Sequence, residues 1–355
     1  MSAPRLAYLF AGCYLGAGFV SGREIWQFYG RFGVYGALGL LVSAILFPLA
    51  GVCIIRLAQI SGIREMDKIV VRKDIPWLRR IIFTVQIFFL FSIVAIMIAG
   101  SGALVHQLYA PVPAWTAGLI VCLIVALVAM NGLKGVASAF SICVPILVIA
   151  TVCICIAALR RWEFTGLTLV APAGAGRFEF KVLLVAMAHV SYNVFGSIGI
   201  LAPFGELIPK SGTVYRGMFG GSLFLMLVAC SVFLALMVSP SSVGAELPML
   251  DLACWMNPVY GYGFGVLLLI GLFGTALALS VALGNDLRMK FKTVDVHYRP
   301  ATLALIGAAF VASLTGFGKL ISLIYPVFGY LGMLLLTVVF LNYRYYKKKT
   351  ADSYK

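Results

Sequence analysis

The residues best suited to chemistry lie in a glycine-rich run inside the first long apolar segment, Ala11-Gly-Cys-Tyr-Leu-Gly-Ala-Gly-Phe-Val-Ser-Gly22. Each glycine in a helix interior costs roughly 1 kcal/mol relative to alanine. In hydrocarbon, an interrupted backbone occurs only where it is buried in protein or lines a cavity. The run therefore predicts a helix that is broken at mid-membrane, the kind of break that forms the substrate site of many secondary transporters.

A second polar run, Ser191-Tyr-Asn-Val-Phe-Gly-Ser-Ile-Gly199, lies in the sixth apolar segment, and we expect a second break near residue 195. Helix ends at a break expose amides, which suit a carboxylate, and carbonyls, which suit an ammonium group or Na⁺. Two breaks would bind a small zwitterion without buried charged side chains. Alternatively, the polar residues of the second run bond neighbouring helices. The candidate substrate ligands in the two runs are Gly16, Ala17, Ser191, Tyr192, Asn193, Gly196 and Ser197.

Three charged or titratable residues adjoin these runs: Arg23, Glu24 and His189. Ser21-Gly-Arg-Glu24 matches a capping box, in which the Glu24 side chain bonds back to Ser21. Alternatively, Glu24 is a gate, a proton carrier or a counter-ion for a substrate amine, because membrane-embedded carboxylates are usually functional. His189 either relays protons or forms an interhelical hydrogen bond. Arg23 is a candidate for a gating ion pair with the outer part of the tenth segment or with the 159–181 loop.

The elements that must position these residues are transmembrane helices. The chain is 62% hydrophobic and 11% charged, with a mean hydropathy of +1.05. A helix needs about 20 apolar residues to cross a bilayer. These values exclude a soluble domain and predict an all-α polytopic membrane protein. The ten predicted spans are residues 5–29, 33–58, 81–108, 114–132, 137–158, 180–204, 215–238, 259–286, 300–316 and 318–342.

The net charge of +15 comes mostly from the predicted inner connections and the tail. Lysine and arginine concentrate in the 59–80 connection, between the eighth and ninth spans, and in the tail 343–355. This bias predicts cytoplasmic termini in a cell membrane and argues against nucleic-acid binding. The tail is a topology signal or, alternatively, a site for anionic lipid. The eight cysteines form no disulfide framework, and the three histidines are too dispersed for a metal site.

The spacing of these features indicates an internal repeat. The predicted breaks near residues 18 and 195 are offset by about 177 residues, half of the chain. Five spans per half is an odd number, so the second half must be inverted in the membrane. We therefore predict two inverted five-helix repeats, residues 1–158 and 180–342, followed by a basic cytoplasmic tail over 343–355.

The run Gly16-Ala-Gly-Phe-Val-Ser-Gly-Arg-Glu24-Ile, the Ser191-Tyr-Asn193 run and the ten spans resemble the YkvI-like bacterial membrane proteins of the amino acid–polyamine–organocation superfamily. The resemblance implies the fold of the bacterial leucine transporter. In that fold, helices 1, 2, 6 and 7 form a moving bundle and helices 3, 4, 8 and 9 form a scaffold. By the same match, Cys13, Tyr14 and Gly18 fall where substrate binds.

The resemblance also implies a candidate Na⁺ site. The Gly12 and Leu15 carbonyls match the helix 1 ligands, and Gly271, Gly274 and Thr275 match the helix 8 side. One hydroxyl stands there where sodium-coupled members offer two, and the fifth span lacks the lysine of many proton-coupled members. Protonation of Glu24 or His189 is the alternative means of coupling.

The sequence thus predicts an ion-coupled secondary transporter that moves a small zwitterionic or amino-acid-like solute by alternating access. The alternative is a non-transporting sensor of a small molecule on the same fold. An enzyme is not expected, because the spans contain no HExxH motif, no Asp-rich cluster and no nucleophile–base pair. No cofactor is expected apart from the candidate Na⁺. The substrate, the coupling ion and the oligomeric state stay open.

Overall fold

A computed structural model describes residues 2–63, 66–72, 75–130, 136–161, 180–202, 205, 208, 211–239 and 241–352. These residues are almost entirely helical, so the predicted all-α class is confirmed. Two short 3₁₀ helices cover Gly30–Tyr35 and Ser242–Gly244. The α-helices are α1 (Ala3–Tyr14), α2 (Ala17–Val20), α3 (Arg23–Phe28), α4 (Gly36–Ser61), α5 (Met66–Val70), α6 (Pro76–Leu108), α7 (Ala114–Ala129), α8 (Val136–Arg161), α9 (Lys181–Leu201), α10 (Ser211–Met237), α11 (Pro248–Met256), α12 (Pro258–Lys290), α13 (Lys292–Val296), α14 (Tyr298–Ser313) and α15 (Phe317–Asp352).

Six helical segments among the described residues are long and apolar enough to cross a bilayer. Helices α1–α3, α7, α8 and α14 occupy the other predicted spans, and α7 is a shorter apolar helix. A multi-pass membrane protein is therefore confirmed. The six segments are Gly30–Ser61, Pro76–Leu108, Lys181–Ile198, Ser211–Met237, Pro258–Arg288 and Phe317–Thr350.

The first predicted span is divided into α1, α2 and α3, with Leu15–Gly16 and Ser21–Gly22 outside the helices. At the first interruption the Gly16 amide donates to the Tyr14 carbonyl over 2.6 Å. At the second, Gly22 has φ of 81°, a conformation that favours glycine because it has no Cβ. The buried Ser21 carbonyl accepts a hydrogen bond of 2.9 Å from the Met249 amide. Helix α11 therefore satisfies a backbone group that the interruption leaves free.

The predicted break near residue 195 is wrong, because α9 runs without interruption from Lys181 to Leu201. The polar side chains of this region form hydrogen bonds to carbonyls of α9 and do not interrupt the helix. The Ser197 hydroxyl donates to the Val194 carbonyl, and the Asn193 amide donates to the His189 carbonyl. Gly196 serves close packing, since a Cβ there would lie 2.6 Å from the Phe89 ring.

Helix α9 lies in the middle of the molecule, where it packs against α15 and α4. Around this centre α1 packs on α10, and α6 packs on α12. The short helix α3 contacts α9, α10 and α15. Residues on α3 are thus held between three longer helices, inside the protein and away from lipid.

Gly22→Ala should destabilise the protein more than Gly62→Ala does. Both glycines have positive φ, 81° and 69°, so each alanine stores strain of about 1–3 kcal/mol. Only at Gly22 would the new Cβ meet neighbours, Leu236 and Met249, each at 2.9 Å, whereas Gly62 has nothing within 4 Å. Thermal unfolding of the detergent-purified variants measures the difference. Equal losses in Tm would contradict the prediction, because they would show that Leu236 and Met249 move aside without cost.

Candidate functional site

The candidate site is built around Glu24 on α3, whose side chain is buried in the protein. Only 2% of Glu24 is exposed, although a charged carboxylate is costly to bury without partners. Its Oε1 atom lies 2.8 Å from His189 Nε2 and 3.0 Å from Asn193 Nδ2. His189 and Asn193 are four residues apart on α9 and so share one face. The structure therefore brings together three of the predicted site residues from two distant parts of the chain.

The capping-box interpretation of Glu24 is wrong. Helix α3 follows Gly22, and the Ser21 hydroxyl oxygen accepts from the Arg23 amide over 3.5 Å, not from the Glu24 amide that a capping box requires. The Ser21 hydroxyl donates to the Gly18 carbonyl over 3.1 Å. Because the left-handed turn at Gly22 separates Ser21 from α3, the Glu24 carboxylate is free to turn inward to α9.

A chain of short hydrogen bonds continues from the other side of the His189 ring. His189 Nδ1 lies 2.6 Å from the Tyr29 hydroxyl, which lies 2.6 Å from the Ser43 hydroxyl. Ser43 donates to the Gly39 carbonyl over 3.0 Å. The chain links α9 to the residue after α3 and then to α4. Neither Tyr29 nor Ser43 was among the residues predicted from the sequence.

Aromatic rings enclose the His189 imidazole, which is fully buried. Their ring centroids lie between 4.7 and 6.1 Å from that of His189. The enclosure excludes water from the pair and strengthens electrostatic interactions inside it. The enclosing residues are Phe19, Phe28, Tyr29, Phe47 and Tyr192.

Tyr325 on α15 covers the carboxylate from a third direction. Its ring stacks on Tyr192 with centroids 4.4 Å apart. A Cβ atom at Gly18 would lie 2.9 Å from the Tyr325 hydroxyl and 3.1 Å from Glu24 Oε2. Gly18, predicted as a substrate ligand, is thus the point where the interrupted helix lets both side chains approach its backbone.

The remaining predicted substrate ligands have different surroundings. The buried Tyr14 hydroxyl lies 2.8 Å from the Ser197 hydroxyl, which forms a second polar contact between α1 and α9. By contrast, Ser191 packs against Gly332 of α15 and Gly196 against Phe89 of α6. Cys13 is partly buried, Gly16 lies in the first interruption and Ala17 begins α2. The side chain of Ala17 lies outside the described part of the structure.

The two contacts also fix the direction of the helices. Tyr14 meets Ser197, whereas Glu24, ten residues later, meets His189 and Asn193, which precede Ser197. Residue numbers rise along the first span as they fall along α9, so the two are antiparallel at the site.

The predicted sodium ligands lie on α1, at the first interruption and on α12. No described backbone hydrogen bond ends on the Gly12 or Leu15 carbonyl. The Thr275 hydroxyl donates to Gly271 within α12, and a Cβ at Gly271 would contact Leu147 of α8. Gly274 lies on α12 one residue before Thr275.

Arg23 binds the neighbouring connection through a carbonyl. Its Nη1 donates to the Ala245 carbonyl over 3.2 Å, and its guanidinium also contacts Gly318 at the start of α15. The predicted ion pair of Arg23 with the tenth span or the 159–181 loop stays a prediction, since these described partners are uncharged and most of that loop lies outside the described residues. Ala245 also lines a cavity of about 450 Å³. Other lining residues are Gln107, Trp115, Glu246, Asp251 and Phe317.

The fold of this chain is that of leucine-transporter-type membrane transporters. Mhp1 in an inward-facing conformation matches with a TM-score of 0.61 at 16% identity, over 96% of this chain and 76% of that chain. A manganese transporter of Eremococcus coleocola, in complex with an aromatic bis-isothiourea substituted compound, matches with a TM-score of 0.52 at 14% identity, over 96% and 85%. These structural neighbours are transporters and not enzymes.

The chain is homologous to YkvI and YyaD of Bacillus subtilis (strain 168), so the resemblance predicted from the sequence is confirmed. It is 24% identical to the uncharacterized membrane protein YkvI over 334 residues, 94% of this chain and 93% of that protein. It is 25% identical to the uncharacterized protein YyaD over 340 residues, 94% of each. No protein-family model matches the chain.

Gly18→Ala and Gly12→Ala should have opposite effects on stability. The methyl group at residue 18 would overlap Tyr325 and Glu24, whereas nothing lies within 4 Å of a Cβ at residue 12. Gly12 is in α1, where alanine is favoured by roughly 1 kcal/mol. We expect a lower Tm for Gly18→Ala and an unchanged or higher Tm for Gly12→Ala. A Tm for Gly18→Ala at or above that of the natural protein would contradict the close approach.

Proposed function

We propose that this protein is a secondary active transporter that moves a small zwitterionic or amino-acid-like solute by alternating access, coupled to Na⁺ or H⁺. The observation that carries the proposal is the buried Glu24 carboxylate between the interrupted first span and α9. Ionisable groups inside membrane segments usually mark a substrate or ion pathway. The transporter fold of the structural neighbours supports the same conclusion.

The polar groups near the interruptions suit a solute with both amine and carboxylate. The Glu24 carboxylate and the Gly12 and Leu15 carbonyls beside the first interruption are acceptors for an ammonium group. The Asn193 amide and the hydroxyls of the Tyr14–Ser197 pair, which now donate to protein acceptors, would donate to a carboxylate once those contacts open. The described residues contain no group of three His, Cys, Asp or Glu side chains that would hold a metal ion. An organic solute therefore fits these groups better than a metal ion such as manganese.

Alternating access follows from two inverted five-helix repeats, residues 1–158 and 180–342, with cytoplasmic termini in the cell membrane. The packing supports this arrangement. If the two repeats are equivalent, the first span corresponds to the sixth and the second span corresponds to the seventh. The interface of α1 with α10 then corresponds to that of α9 with α4, and both are present. The cavity beside Ala245 is the outer vestibule in this scheme.

Uptake by proteoliposomes tests the function. Purified protein is reconstituted and given a uniformly ¹⁴C-labelled amino acid mixture, with an imposed Na⁺ gradient or pH gradient. We expect accumulation above that of protein-free liposomes under one of the gradients. If Na⁺ drives it, Thr275→Ala should raise the Na⁺ requirement. No protein-dependent movement of label under either gradient would contradict the proposed substrate class.

Asn193→Ala should weaken transport through poorer solute binding. Loss of a buried hydrogen-bonding group costs about 1–3 kcal/mol, which corresponds to a half-saturating concentration raised by roughly fivefold to a hundredfold. Asn257→Ala is the matched control, because Asn257 is exposed and caps α12 through a bond to the Val259 amide. Equal half-saturating concentrations in the two variants would place the solute elsewhere.

A further inference from the structure

The hydrogen bonds around His189 determine which of its ring nitrogens carries a proton. A hydroxyl donates one hydrogen bond. Ser43 donates to the Gly39 carbonyl, so it accepts from Tyr29. Tyr29 has then used its proton and accepts from His189. His189 Nδ1 is therefore protonated in this arrangement.

With Nδ1 protonated, the contact between Nε2 and Glu24 requires one more proton. A neutral imidazole with a proton on Nδ1 presents the Nε2 lone pair, which would face a carboxylate oxygen at 2.8 Å. Two acceptors repel at that distance. The contact is attractive when one proton lies between them, as imidazolium with carboxylate or as imidazole with carboxylic acid. In both forms the pair as a whole is neutral.

Asn193 adds a constraint from the other direction. Its amide nitrogen has two hydrogens, of which one bonds to Glu24 Oε1 and the other to the His189 carbonyl. It therefore supplies a donor to the carboxyl group and cannot remove the need for a proton on the Nε2 side. The titratable side chains that face the pair from the surrounding elements are Tyr29 after α3, Tyr192 on α9, Tyr325 on α15 and, through Tyr29, Cys230 on α10.

We propose that Glu24 and His189 together form a binding site for a single proton, which holds α3 against α9 and is the coupling ion of transport. The last clause rests on the proposed function, whereas the proton site itself does not. When the proton leaves to water, a carboxylate faces a lone pair and the contact opens. Tyr29 and Ser43 are positioning residues, because their hydrogen bonds hold a proton on Nδ1 of His189. Neutral His189 therefore cannot move that proton to Nε2, and the contact with Glu24 needs a second, bound proton.

Nitrogen-15 NMR of histidine-labelled protein in nanodiscs reads both ring nitrogens of His189 over a pH titration. The chain has three histidines, and the variants His106→Gln and His297→Gln identify the other two signals, both from exposed residues. We expect Nδ1 to stay protonated throughout, whereas the Nε2 signal shifts as the shared proton is lost at higher pH. An alkaline form with the proton on Nε2 and a bare Nδ1 would overturn the proposal.

Two variants change the outcome in different ways. In Glu24→Gln the amide supplies a permanent donor to Nε2, so His189 should stay neutral with Nδ1 protonated and lose the pH-dependent shift. In Tyr29→Phe nothing holds the Nδ1 proton, so the proton should move to Nε2 and face Glu24. A purely structural role for Tyr29 would leave the proton on Nδ1, and that result would contradict its role as a positioning residue.

Transport assays separate the proton site from the proposed function. Proteoliposomes with the ¹⁴C-labelled amino acid mixture are assayed for exchange at equal pH and for accumulation under a pH gradient without Na⁺. We expect exchange and gradient-driven accumulation with the natural sequence, and no effect of the gradient with Glu24→Gln. Exchange with accumulation that ignores the pH gradient would overturn proton coupling. Absence of exchange would contradict the proposed function, while the NMR titration still decides the proton site.

Discussion

The burial of one carboxylate, that of Glu24, determines the arrangement of this site. A charge of this kind cannot remain in a water-excluded interior without partners, because desolvation costs several kcal/mol. Its partners must come from another helix, and they do so as His189 and Asn193 of α9. The turn at Gly22 allows the side chain to point inward. The contact of Glu24 with His189 and Asn193 therefore depends both on the interruption of the first span and on the continuous helix α9.

The aromatic surroundings follow from the same requirement. Rings of Phe19, Phe28 and Phe47 close around the imidazole and keep lipid and water from the pair. An enclosed pair exchanges its proton or meets a solute only when these rings move. Since Phe19 and Phe28 belong to the interrupted span, a shift of α2 or α3 would open the enclosure and weaken the pair at the same time. Access and binding are thus connected through the same residues.

The sequence was sufficient for the membrane class, the helical fold and the first interruption, because these depend on local properties: apolar length, charge and glycine content. It failed in the sixth span, where Ser197 and Asn193 were interpreted as signs of a break but bond within their own helix. The partnership of Glu24 with His189 joins residues 165 positions apart. No periodicity in a single sequence specifies such a pair.

Other residues of the site had no distinctive local signal. Tyr325 precedes a proline in a helix with many aromatic residues, so nothing in the local sequence distinguishes it. Tyr29 and Ser43 are ordinary residues for a membrane helix when considered one at a time. Their role comes from the direction of three successive hydrogen bonds, ending on the Gly39 carbonyl. The position of a proton in such a network can be inferred only when the donor and acceptor of every hydrogen bond in the network are known.

The interruptions also divide the site into a rigid side and an adjustable side. Helix α9 holds His189 and Asn193 at a fixed separation of one turn, since its backbone hydrogen bonds are continuous. By contrast, α2 has four residues and α3 has six, too few to be stable as isolated helices. Their positions are set by tertiary contacts such as the Glu24–His189 pair and the bond from Met249 to Ser21. A change in protonation at the pair would therefore act on helices that are too short to hold their positions alone.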